Sequence, residues 1–148
     1  MNVTDERQPA PFDVVRQHIS ARFTIAAQGE TWVGFRWIVG ENKLLRFKIA
    51  LSSLAGEEQL LVMSPAAAER DLLPKHVLSE AAAIGPAVVV EEGLYVVRQW
   101  VGLRDVSPQT VDRAVTLVAD AVLRLQRHVA RTPGPRVSAG RPFANFAD

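Results

Sequence analysis

Three histidines, a scatter of carboxylates and one arginine inside an apolar run are what the chain offers for chemistry. His18, His76 and His128 lie far apart in sequence, without the HxxxH or HExxH spacing that turns two imidazoles toward one metal. They read as helix-surface residues. Glu57-Glu58 and Glu91-Glu92 each adjoin a glycine in what reads as a turn, where carboxylates stay solvated. General acid–base work needs them in a shielded cleft with separated pKa values. Arg98 interrupts the apolar run Leu94–Val101. An arginine there can grip a carboxylate or phosphate with two parallel hydrogen bonds. It can equally lie at a sheet edge or pair with a glutamate across a hairpin. Cysteine is absent, and neither GxxxxGK[ST] nor GxGxxG occurs, so thiolate chemistry and phosphate-cradling loops of those types are excluded. The expectation is a chain without catalytic residues, metal site or cofactor; an enzyme would need Arg98 brought together with a histidine and a carboxylate by the fold.

The positive signal is aromatic. In Thr31–Val39, alternation puts Val33, Phe35 and Trp37 on one side of a strand and Trp32, Arg36 and Ile38 on the other, across Gly34. Leu94–Val101 is similarly apolar on both sides, with Tyr95 and Trp100 opposed. A sheet sheltered by helices on one side would leave large apolar residues in water on the other, which monomers seldom do. A partner surface is the expected resolution.

The elements that must position these residues can be read from periodicity. Pro11 suits the first turn of a helix whose Phe12, Val15 and Ile19 recur at three and four. A strand from Phe23 ends at Gly29-Glu30, the aromatic strand follows, and Gly40-Glu41-Asn42 signals a turn. Leu45, Phe47, Ile49 and Leu51 then alternate with Arg46, Lys48 and Ala50, the period of a half-buried strand. A loop over Leu54–Glu58 leads to the short strand QLLVM, after which Ser64-Pro65 reads as N-cap and first residue of a helical turn. Lys75–Ile84 favours helix and Gly85-Pro86 stops it; AVVVE and LYVVRQWVG form a hairpin through Glu92-Gly93. Ser107-Pro108 opens a long amphipathic helix carrying Val111, Val115, Val118, Val122, Leu125 and Val129. The order α-βββ(β)-α-ββ-α predicts an α+β fold: an antiparallel β-sheet with helices packed on one face.

Length and charge bound the rest. The 148 residues suit one domain over 11–130, between polar residues 1–10 and the Pro/Gly-rich 131–148, both expected to be flexible tails. Phe143 and Phe146 in the latter form a candidate docking motif. A net charge of +1 recommends neither nucleic acid nor an acidic membrane as partner. The longest apolar runs, Ala81–Val90 and Ala114–Leu123, are about half a bilayer span. MNVTDERQPAP lacks a signal's basic start and apolar stretch, which favours the cytoplasm.

The element order, together with EEGLYVVRQWVGLRDVSPQTVDRAVTLVADAVLRL, resembles the type III secretion chaperone fold of the CesT-like and YbjN-like proteins. The shared features are an acidic-glycine turn, an apolar strand, the short link Val101–Val106 and an amphipathic final helix. The resemblance covers about residues 11–130. It implies a small homodimer that holds an extended segment of a client protein or peptide along apolar grooves of the sheet and first helix. On that reading Phe23, Val33, Phe35 and Trp37 face the partner, beside Phe12 and Val15 of the first helix. Leu78, Val97 and Trp100 make the dimer contact. An accessory subunit that stabilises a peptide-modifying or effector-like enzyme is the alternative.

Overall fold

A computed structural model describes residues 11–40 and 42–129. The expected tails, with Phe143 and Phe146, lie outside the described residues. Helix α1 (Pro11–Arg22) precedes four strands, β1 (Thr24–Gln28), β2 (Trp32–Val39), β3 (Lys43–Leu54) and β4 (Glu57–Ala68). Helix α2 (Pro74–Ala81) leads to β5 (Ala87–Glu91) and β6 (Leu94–Gly102), and α3 (Pro108–Gln126) ends the described fold. The sheet is antiparallel throughout, in the order β1-β2-β3-β4-β6-β5. This is the α+β fold with the α-ββββ-α-ββ-α order expected, its fourth strand longer than the sequence suggested. No helix among the described residues is long and apolar enough to cross a membrane.

All three helices lie on one face. Helix α3 buries Val111, Ala114, Val115, Val118, Val122 and Leu125 against β4 and β6, the stripe that its three-and-four spacing dictates. Its start is fixed by a reciprocal cap: Ser107 Oγ accepts from the Thr110 amide at 3.1 Å, and Thr110 Oγ1 accepts from the Ser107 amide at 2.9 Å. Helix α1 covers β1 and β2 with Phe12, Val15 and Ile19. Arg16 ties this helix to the β1–β2 turn, donating to Gln28 Oε1 at 2.8 Å and to the carbonyls of Gly29 and Glu30 at 2.7 and 2.9 Å.

Two tight turns set the strand registers. Ala55-Gly56 and Glu92-Gly93 both have positive φ at each residue, 54° and 84° in the first and 49° and 79° in the second. Paired positive φ matches the right-handed strand twist, so these turns close two-residue hairpins. The loop expected over Leu54–Glu58 is thus a hairpin, with β3 and β4 paired from Lys48↔Met63 to Leu54↔Glu57.

Ser64-Pro65 does not start a helical turn. Strand β4 runs through it to Ala68, still paired with β6. The proline has no N–H for a ladder, and the registered pairing with β3 stops at Met63, so β3 and β4 part there. Ser64, fully buried, bridges the two strands by donating its hydroxyl to the Arg46 carbonyl at 2.6 Å.

Candidate interaction surface

Because directly opposed residues in a sheet share a face, the registers sort every strand side chain into one of two sets. The helix-facing set contains an aromatic cluster. Phe35 stacks on Phe47 at 5.1 Å between centroids and meets Phe23 at 4.9 Å, while Trp37 lies 5.6 Å from Phe23 and 6.2 Å from Phe47. Val33, Phe35 and Phe47 are fully buried in the core that the helices cover.

That arrangement corrects the expected partner surface. Phe12, Val15, Val33 and Phe35 belong to the core of this chain, and Phe23 and Trp37 pack half-buried against it. Helix α1 takes the side of β2 that was assigned to a client. The dimer assignment is corrected in part for the same reason. Val97 is buried in the core, whereas Trp100, an odd number of residues away, is half-buried on the opposite face. Leu78 projects from α2 on the helix side at 73% exposure. The three do not share one surface.

The helix-free face is built in rows. Trp32, Ala50, Leu61 and Trp100 stand opposite one another across β2, β3, β4 and β6. Beside them run Gly34, Lys48, Met63, Arg98 and Ala87, then Arg36 with Arg46, then Ile38 with Leu44. Leu94 and Val96 form a second, smaller buried cluster on this face with Met63, Ala68 and Val89. Ile38 and Leu44 are 66% and 44% exposed as a directly opposed pair.

Trp32 is held in place from two sides. A Cβ at Gly29 would fall 2.0 Å from its indole Nε1, so only glycine lets the ring lie across that backbone. The Lys48 ammonium rests 5.2 Å from the ring centroid on the neighbouring strand. At the far edge Arg98 pairs with Glu91 across the β5–β6 hairpin, the structural alternative among its sequence readings. Where β3 and β4 part, Leu44, Leu45, Arg46, Pro65 and Gln126 line a concavity of about 220 Å³. Sequence reasoning missed it, although a proline within an otherwise β-like run was its signal.

The titratable groups fasten helices. His18 donates from Nε2 to Asp112 Oδ1 at 2.7 Å, and Arg22 engages Asp112 Oδ2, so both oxygens of one carboxylate on α3 are used to hold α1. At the other end of α3, Glu80 of α2 meets His128 Nε2 at 3.2 Å and Arg124 at 3.4 Å, and the His76 and His128 rings stack 4.5 Å apart. The hydrogen bond to His128, with a further contribution from the Arg124 charge, holds the Glu80 carboxyl below its ordinary value. Among the described residues no three His, Asp or Glu side chains gather as a metal site would require.

No family model matches the chain, and no curated protein sequence is similar to it beyond chance.

Proposed function

We propose that this chain is a non-enzymatic, cytoplasmic partner-binding protein, a dimeric chaperone or adaptor of type III secretion chaperone-like build. It holds an extended segment of a client protein or peptide on the helix-free face of its sheet. One observation carries the reading: Ile38 and Leu44 are a directly opposed, exposed apolar pair on the helix-free face, with Trp32, Met63 and Trp100 further along the same face beyond the Arg36–Arg46 row. Large apolar side chains left side by side in water on a folded domain mark an interaction site. The client therefore meets the side of β2 opposite Phe35. The dimer half of the reading rests on α2 and its N-cap, where Leu78 and Leu73 are both exposed.

The experiment is affinity purification from the native host with the double variant Ile38→Asp/Leu44→Asp. Both side chains are exposed, so the variant folds, and loss of the partner recovered by the unaltered chain is expected. Recovery of the same partner in the same amount rejects this face as the docking surface. Light scattering on Leu78→Lys tests the second half: a dimer that becomes a monomer is expected, and an unchanged mass moves the dimer contact elsewhere.

A further inference from the structure

A sheet that does not close on itself has two edge strands, here β1 and β5. Each edge carries a row of backbone N–H and C=O groups ready to pair with another chain, and folded proteins commonly blunt such rows with bulges, charges or side-chain caps. β1 is blunted. Its register shifts between Ile25 and Ala27, and the Arg16 guanidinium, reaching from α1, holds Gln28 and the Gly29 carbonyl at its end. β5 is not. It pairs with β6 from Ala87↔Arg98 to Glu91↔Leu94 without a shift, and no lysine, arginine or proline stands between Ala87 and Glu91.

The tight turn at Glu92-Gly93 fixes which groups face outward. The residues flanking such a turn, Glu91 and Leu94, bond to each other, and antiparallel pairs then alternate, so Val89 and Ala87 also aim their backbone groups at β6. Val88 and Val90 aim theirs away from the sheet. Among the described residues no other backbone group meets them.

This edge is complementary to itself. Turned about a two-fold axis through Val89, perpendicular to the sheet, β5 lies antiparallel to its own image with Val88 opposite the second copy's Val90, and both opposed pairs exchange bonds in both directions. Moving the axis to Val88 would set Val90 against Pro86, which has no N–H; moving it to Val90 would set Val88 against the turn residue Glu92. One register is therefore selected.

Side chains agree with it on both faces. On the helix-free face the axis brings Glu91 opposite the second copy's Ala87, in line with that copy's Arg98, and the small alanine leaves the space between them open. Arg98 has a donor to spare: its Nε is buried without a hydrogen-bond partner while another nitrogen of the guanidinium engages Glu91. On the helix side Val90, 51% exposed, meets the second copy's Val88. Helix α2 packs on β5, so the same axis sets the two α2 helices and their exposed Leu78 side chains beside one seam.

We propose that β5 pairs with β5 of a second copy of this chain, antiparallel about Val89, joining the two six-stranded sheets into one with all helices on the same side. The inference rests on the dimer half of the reading above and names the strand that makes the contact. The helix-free faces of the two copies then run on without a break, which lengthens the surface open to a client.

The chain has no cysteine, so one introduced thiol reports the register. The two Val89 residues form a pair of the non-hydrogen-bonded kind, with Cα atoms about 4.5 Å apart, a separation that a disulfide spans. In the full chain, mild oxidation of Val89→Cys is expected to give a covalent dimer on a non-reducing gel, and Thr24→Cys on the blunted β1 edge to stay single. Val90→Pro deletes only an outward N–H, so it should keep the circular dichroism of the unaltered chain while its mass by light scattering falls by half; Val90→Thr, which keeps the N–H, should stay dimeric. Should Val90→Pro not fold, the cysteine variants decide alone. A Val89→Cys chain that cross-links no faster than Thr24→Cys overturns the edge pairing, and so does a folded Val90→Pro that remains dimeric. If Leu78→Lys is monomeric in that case, the dimer reading survives with its contact on α2 alone. An unaltered chain with the mass of a monomer refutes both.

Discussion

Phe35 and Ile38 lie three residues apart on β2 and therefore point to opposite faces, so truncating each to alanine measures which face is core. Phe35 is fully buried, stacked on Phe47 and in contact with Phe23. A buried phenylalanine removes about 150–250 Å² from water, which at about 25 cal/mol per Å² is about 4–6 kcal/mol. The extended-chain reference inflates that figure, and the alanine keeps part of the area, which lowers it to about 3–5 kcal/mol once the cavity is included. Ile38 is 66% exposed, so its truncation should cost no more than about 0.5 kcal/mol. Urea denaturation followed by tryptophan fluorescence resolves the two. With a slope of about 1–3 kcal/mol per molar, Phe35→Ala should lower the midpoint by one molar or more, while Ile38→Ala leaves it almost unchanged. The result that refutes the reasoning is a loss below about 1 kcal/mol for Phe35→Ala together with a larger loss for Ile38→Ala. That pattern would mean the helices cover the other side of the sheet.

Three further measurements follow from local geometry. Asp112→Ala leaves His18 and Arg22 without their shared acceptor and should cost about 1–2 kcal/mol in chemical denaturation, with Asp112→Asn losing less; no change would mean that the α1–α3 fastening is ornamental. Ala55 holds a φ of 54° without the side-chain hydrogen bonding that favours asparagine there, so Ala55→Asn should raise stability by up to about 1 kcal/mol, and a loss would show that the turn is of another type. Glu80 has a folded pKa below its unfolded one, so its contribution is complete above the unfolded value of 4.5 and is lost as pH falls through the folded value. Stability of the unaltered chain should therefore fall between about pH 5 and pH 3 more steeply than that of Glu80→Gln, and matching acid limbs would remove Glu80 from the account.

The element order was legible because its signals are local. The alternation over Leu45–Leu51 and the Ser107-Pro108 start followed by valines at three and four each report a single element's period and cap. The errors fall where a long-range event decides. Ser64-Pro65 has the composition of a helix start, yet it belongs to a strand because β3 has already parted from β4 and no ladder bond is required of the proline on that side. The residues Leu54–Glu58 suggest a loop because alanine is an unexpected occupant of a left-handed position; the pairing on either side forces Ala55 into it.

The interaction surface was legible only to within a reflection. Alternation shows that Val33, Phe35 and Trp37 share a side and that Trp32, Arg36 and Ile38 share the other, but it is silent on which side the helices choose. Both sides of β2 are apolar enough to be a core. What separates them is their neighbours: Phe35 faces Phe47, whereas Arg36 faces Arg46 and Gly34 faces Lys48. An aromatic pair can be sealed under a helix, while two opposed guanidinium groups cannot be desolvated together. The β2–β3 register therefore determines the open side, and a sequence reading that had aligned Thr31–Val39 against Lys43–Leu51 would have put Arg36 on Arg46. The register that excludes α1 from that face is therefore also what leaves it open, a property of the strand pairing and not of either strand alone.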